Sequence, residues 1–367
     1  MKRLTLLLGL LLVVSSVAVA KEVMPAPTPE PEKAIEYVEK PVIVYRDREV
    51  APAWKPNGSV SLTYKWYGET ERKNVGEDKD KDWAANVANA GRLQTIVSVN
   101  FTEKQTLDIR SRNYHTLNDT KNDKSTGASD SLRVRHFYNF GTLGNSKVKA
   151  KSKLVFNQSK GDAGRKTLEG SVFFDFADYF PSSENFKVDT FGIRPRYAYS
   201  WIGHGNNDTK NKYALDFEST YTLPAGFSAE LNLYSDYTRH REAFDVGTDG
   251  EKKKGQFNGA MEAYLYYSLP LYKNDKFSLS FDAEGGYDSY DFHQYKSVKN
   301  QEGKRTNRRA YSIYLQPTVS ASYKATDNVK LTVGAGAEYR NFVISAESEA
   351  KNWRWQPTAW ATMKVTF

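Results

Sequence analysis

Residues 92–101 read RLQTIVSVNF, and their period decides the fold. Leu93, Thr95, Val97, Val99 and Phe101 share one face, while Arg92, Gln94, Ser98 and Asn100 share the other, broken only by Ile96. A period of two belongs to a strand with one apolar and one polar side. The pattern returns downstream. Phe277, Leu279, Phe281, Ala283, Gly285 and Tyr287 alternate with Ser278, Ser280, Asp282, Glu284 and Gly286. Val329, Leu331, Val333, Ala335, Ala337 and Tyr339 alternate with Lys330, Thr332, Gly334, Gly336 and Glu338. A strand of a soluble sheet usually has about 5–6 residues. Alternation over ten or more suits a tilted strand that crosses a membrane.

The connections between such runs alternate in length. Short ones are TEKQ (102–105), GTLGNS (141–146), DYFPSSEN (178–185), LPAGF (223–227), LYKNDK (271–276) and KATDN (324–328). Longer polar segments lie between them, such as 69–83, 118–130, 242–255 and 293–307. Short inner turns and long outer loops give this rhythm in outer-membrane barrels. The reading is an all-β chain, a transmembrane antiparallel β-barrel of about 14 strands with 16 possible, the stretch 171–199 being hard to divide. The third outer loop, within 158–166, is too short to fold into and fill the bore.

The outer faces of the strands carry almost no charge. Strand one offers Val60, Leu62, Tyr64 and Trp66, and strand eight offers Tyr213, Leu215, Phe217, Ser219 and Tyr221. A mid-membrane Lys or Arg on that face costs about 2–4 kcal/mol. Tyr311 and Tyr323 bracket strand twelve, and Trp355 and Phe367 bracket the last strand at the same spacing. At ~3.3 Å per residue and roughly 40° of tilt, that spacing rises about 30 Å, the distance between two aromatic girdles.

The ends differ from the barrel. Residues 1–20 have Lys2 and Arg3, an apolar run and Ala18-Val19-Ala20, the pattern of a signal peptide cut after Ala20. Residues 21–56 form a Pro- and charge-rich segment expected in the periplasm, and 57–367 form the barrel. The chain has no cysteine, so thiolate metal sites and a cysteine nucleophile are excluded. A mean hydropathy of -0.67 by itself argues for a soluble protein, yet 14% of residues are aromatic. A barrel reconciles the two, because only alternate residues need be apolar.

The opposite parity points into the bore. The expected basic lining is Arg92, Arg110, Arg112, Arg133, Arg135, Lys149, Lys151, Arg194 and Arg196. The expected acidic lining is Asp216, Glu218, Glu230, Asp236, Glu262, Asp282, Glu284 and Glu338. Since the first set lies on early strands and the second on late ones, closure sets a basic wall against an acidic wall. Such a transverse field suits small polar solutes of either sign.

Other chemistry finds no support in the residues. The five histidines are scattered, without metal-like pairing. No G-x-S-x-G elbow appears, and the reading is of a chain that is not an enzyme and takes no cofactor or metal. The charge of +8 is spread along the chain, and no nucleic-acid signature accompanies it.

Several stretches carry a family resemblance. They are KEVMPAPTPEPEK (21–33), YVEKPVIVYRDREVAPAW (37–54), NAGRLQT (89–95), VNFTEKQTL (99–107), RHFYNFG (135–141), DAEGGYD (282–288), WRWQPTA (353–359) and MKVTF (363–367). Together they resemble the FomA family, the major outer-membrane porins of fusobacteria. The resemblance implies a nonspecific, voltage-sensitive, homotrimeric diffusion channel in the cell outer membrane. Its implied partners are outer-membrane lipid and lipopolysaccharide, small hydrophilic solutes, and host or bacterial surface ligands held by the outer loops. The terminal Phe367 is similar to the last-strand signal read by the barrel assembly machinery. An alternative stays open at this point: a structural or adhesive barrel whose loops bind other cells, with little channel activity.

Overall fold

The structure is a computed structural model that describes residues 34–38, 42–46, 54–71, 88–117, 130–160, 164–203, 208–247, 250–299, 305–307, 312–341 and 353–367. Ala20 and Tyr311 lie outside the described residues. Within the segment 21–56, Ala34–Val38 pairs antiparallel with Val42–Arg46 as a small hairpin.

Residues Pro56–Thr366 form a separate compact unit. Its strands are β1 (Asn57–Tyr67), β2 (Ala90–Thr102), β3 (Gln105–Thr116), β4 (Ser131–Thr142), β5 (Lys149–Ser159), β6 (Lys166–Asp175) and β7 (Lys187–Trp201). They continue as β8 (Lys210–Thr222), β9 (Phe227–Val246), β10 (Glu251–Lys273), β11 (Phe277–His293), β12 (Ser312–Lys324), β13 (Val329–Asn341) and β14 (Trp353–Thr366). Each pairs antiparallel with its sequence neighbour, and β14 pairs with β1 to close a 14-stranded barrel. At that seam Thr63 and Thr362 share a 2.8 Å hydroxyl hydrogen bond, and Gln356 donates to the Gly68 carbonyl at 3.0 Å. Closure leaves the 14-stranded sheet without a free edge, as hydrocarbon demands.

Parity sorts the side chains as the period of two requires. Leu154, Leu215, Leu315, Val319 and Val333 are exposed on the outer face. Aromatic rings cluster at both strand ends of that face. At the long-loop end Tyr197 lies 5.3 Å from Tyr213 and Tyr339 lies 4.7 Å from Trp355. At the short-turn end Phe227 meets Tyr267 at 4.6 Å and Tyr272 meets Phe277 at 6.0 Å. Phe367 is exposed next to the end of β14. The inner face is polar and cross-linked by hydroxyls, including Thr190 with Thr220 at 2.6 Å and Thr167 with Ser200 at 2.8 Å.

Two connections differ from expectation or resolve it. The segment 242–255, expected as a loop, is largely strand: β9 runs on to Val246 and β10 begins at Glu251. Their pairing continues through Phe244↔Lys253 and Val246↔Glu251 after a register shift. Val246 is buried there. Arg305, from the following outer connection, donates to the Asp245 carbonyl at 3.0 Å and its carboxylate at 3.2 Å. Beyond the membrane a strand needs no apolar outer face, so the charged, Gly-bearing sequence hid it. The undivided stretch 171–199 splits after Asp175, passes through a single 3-10 turn at Ala177–Tyr179, and resumes as β7. Only residues 160–165 separate β5 from β6, which matches the short third loop.

Candidate functional site

Register, not parity alone, decides which inward side chains meet. In a ring of 14 strands β3 stands opposite β10. A cavity of about 460 Å³ is lined by Lys65 and Arg92 from β1 and β2 together with Asp282 and Glu284 from β11, four to five strands away round the ring. Trp360 and Thr362 of β14 also line it. Room for these rings comes from glycine. A Cβ on Gly334 would lie 2.2 Å from the Trp360 indole, and one on Gly286 would lie 2.7 Å from both Tyr264 and Tyr314.

The expected basic residues divide into three groups. Arg92, Arg110, Arg112, Arg133 and Arg135 sit half-buried on adjacent strands β2–β4. Arg112 donates to Gln94 at 2.7 Å, Arg135 pairs with Asp108 at 3.0 Å, and Arg92 lies over the Tyr67 ring at 5.6 Å. Lys149 is exposed at the short-turn end, bound to Asp178 at 2.7 Å, and Lys151 lies over the Phe137 ring at 4.6 Å. Arg194 and Arg196 on β7 are held by carboxylates. Arg194 binds Glu218 through two bonds, Nε at 2.5 Å and Nη2 at 2.6 Å. Arg196 grips Asp216 the same way at 2.8 and 3.2 Å and reaches Glu169 at 3.3 Å.

Forked guanidinium–carboxylate bonds of this kind are strong and directional. They neutralise charge between β7 and β8, so the first two expected acidic positions answer the last two expected basic ones locally. Asp216 is only 3% exposed, which makes its partner indispensable. Replacing Arg196 by leucine strands a buried carboxylate, and breaking such a pair costs about 3–5 kcal/mol. The expected result is a lower urea midpoint for the folded barrel in lipid vesicles.

The remaining acidic residues are not held mainly by cations. Tyr266 donates to Glu230 at 3.1 Å and Tyr234 donates to Glu262 at 3.0 Å. Tyr314 donates to Glu284. Asp282 accepts from Ser268 at 2.6 Å and Ser280 at 2.9 Å. Asp236 accepts from Thr238 and Asn258 and pairs with Lys212 at 3.3 Å. Glu338 accepts from Arg340, whose guanidinium lies 4.3 Å over the Tyr314 ring. Neutral donors orient Glu230, Glu262, Asp282 and Glu284 without cancelling their charge, whereas Asp236 and Glu338 each have a cation beside them. The tyrosines were missed in the sequence because tyrosine was read as a girdle residue. Their parity, inward on β9, β10 and β12, was the available signal.

No protein-family profile matches the chain, and no curated protein is similar to it in sequence. Among solved structures, the chain is similar to a bacterial polysaccharide outer-membrane secretin, with a TM-score of 0.40 and 10% identity over 84% of this chain and 98% of that one. It is also similar to the NanC porin, with a TM-score of 0.33 and 8% identity over 84% and 100%. A trimer form of OmpT from Vibrio cholerae matches with a TM-score of 0.31 and 8% identity over 85% and 98%.

Proposed function

We propose that the barrel is an outer-membrane general-diffusion porin that lets small hydrophilic solutes and ions pass passively through a charged lumen. One observation carries this reading. The inner surface is polar and charged, with an arginine-rich sector on β2–β4 and carboxylates on β9–β13, and cations of β1 and β2 share one cavity with carboxylates of β11. A barrel built only to display loops gains nothing from half-buried, incompletely paired arginines on its inner wall. Such a field orients dipolar solutes and penalises apolar ones.

The rest of the assignment follows the sequence patterns at the chain ends and the FomA-family resemblance. Residues 1–20 are removed after Ala20, the segment 21–56 lies in the periplasm, and the long-loop end of the barrel faces outward. Phe367 is the mark for the assembly machinery, and the barrel trimerises within lipid and lipopolysaccharide. A second reading, adhesion through the outer loops, is favoured by the β9–β10 hairpin, whose strands of 20 and 23 residues exceed the 11–13 common among the other strands. Planar-bilayer recording of purified protein decides between a channel and a barrel that is only adhesive. Stepwise openings are expected. An electrically silent bilayer with retained cell binding would favour the second reading.

A further inference from the structure

The arginines of β3 and β4 present a problem that the pore reading leaves open. Arg110 and Arg133 are directly opposite in the register, on one face. Like charges so placed repel across a few ångströms. Their other cross-strand neighbours offer no relief, since Ile96 stands beside Arg110 on β2 and Asn157 beside Arg133 on β5. Asp108, two residues along β3 from Arg110, is taken by Arg135 at 3.0 Å and by the Ser98 hydroxyl at 2.7 Å. Elsewhere on the inner face Lys153 of β5 faces Glu169 at 3.6 Å, and Arg194 and Arg196 of β7 have their forks filled.

Arg110 and Arg133 form no ion pair with any described residue, and the Nε atom of each is shielded from solvent without a hydrogen-bond partner. Shielded charged donors without acceptors are costly, and their missing partner has a definite chemistry. Two guanidinium forks set side by side suit an oxyanion that accepts several bonds at once. Chloride cannot fill a fork in this way.

We propose that Arg110 and Arg133 form a binding site for a small oxyanion, a phosphate or carboxylate group, with Arg112 flanking it two residues along β3. This deepens the pore reading by naming a solute class, and it rests on that reading for the route by which the anion arrives. The site holds the anion transiently and raises its local concentration on one side of the bore.

The test is calorimetric titration of the folded, detergent-solubilised full chain with inorganic phosphate in a chloride background. One saturable site is expected. Its affinity falls about tenfold or more in R110Q/R133Q, as loss of charge-assisted bonds requires. R110K/R133K keeps the charge but loses the forks, so it too binds phosphate more weakly, and it serves if the glutamine variant fails to fold. Heat-modifiable gel mobility reports folding. No saturable binding by the unaltered chain, or equal affinity in the folded variants, overturns the site.

Bilayer recording separates this failure from that of the porin reading. Channel steps whose chloride current is insensitive to phosphate overturn the site and leave the pore standing. Saturable phosphate binding without any channel steps does the reverse.

Discussion

Replacing Arg110, Arg112, Arg133 and Arg135 together by glutamine shifts the reconstituted channel toward cations, with a cation-to-anion permeability ratio raised on the order of fivefold. Four positive charges leave one sector, and Asp108 loses the guanidinium that neutralises it at 3.0 Å. The opposite wall is untouched. There Glu230, Glu262 and Glu284 keep their tyrosine donors and their charge. With one wall neutralised, the field in the bore becomes predominantly negative, and potentials of a few kT are enough to change ion populations severalfold. The border pairs Arg194–Glu218 and Arg196–Asp216 stay intact and keep β7 and β8 in register. Zero-current potentials in a salt gradient measure the shift. An unchanged potential in a folded variant would sink the two-wall account.

The second large effect is on stability and depends on parity alone. Val319, at the middle of β12, is 45% exposed on the outer face between Phe281 and Ala335. Val319→Arg therefore puts a charge against hydrocarbon and costs about 2–4 kcal/mol. One residue on, Ser320 points inward and shares a hydroxyl bond with Ser280 at 3.0 Å. Ser320→Arg places the same charge in the polar bore, where substitutions tune selectivity instead. Equilibrium unfolding in lipid vesicles, followed by tryptophan fluorescence, is expected to separate the two variants widely. Equal losses would mean that neighbouring residues do not face different media.

Much of this architecture was legible because one quantity, the period of two, fixes both element type and facing. RLQTIVSVNF gives β2 and its two sides without any reference to the rest of the chain. Strand number followed from the alternation of turn lengths. The β9–β10 extension was not legible, because the apolar outer face is a demand of lipid and disappears where the strands leave it. Glu251 to Gly255 then looks like loop, although pairing holds as far as Val246↔Glu251. Ion-pair partners were also hidden. Parity puts Arg194 and Glu218 on the same side, but only the register makes them diagonal neighbours, and register is set by turn geometry along with the apolar pattern. For the same reason the face-to-face placement of Arg110 and Arg133 emerges only when β3 and β4 are aligned.

The absence of native cysteine allows the central claim to be tested residue by residue. Single cysteines placed at each position from 93 to 99 and carrying a nitroxide report whether β2 alternates between hydrocarbon and enclosed water. Positions 93, 95, 97 and 99 are expected to collide with oxygen dissolved in lipid, and positions 94, 96 and 98 with a water-soluble paramagnetic chelate. Accessibility that is uniform along the strand, or that repeats every three to four residues, would contradict a barrel with lipid outside and water within.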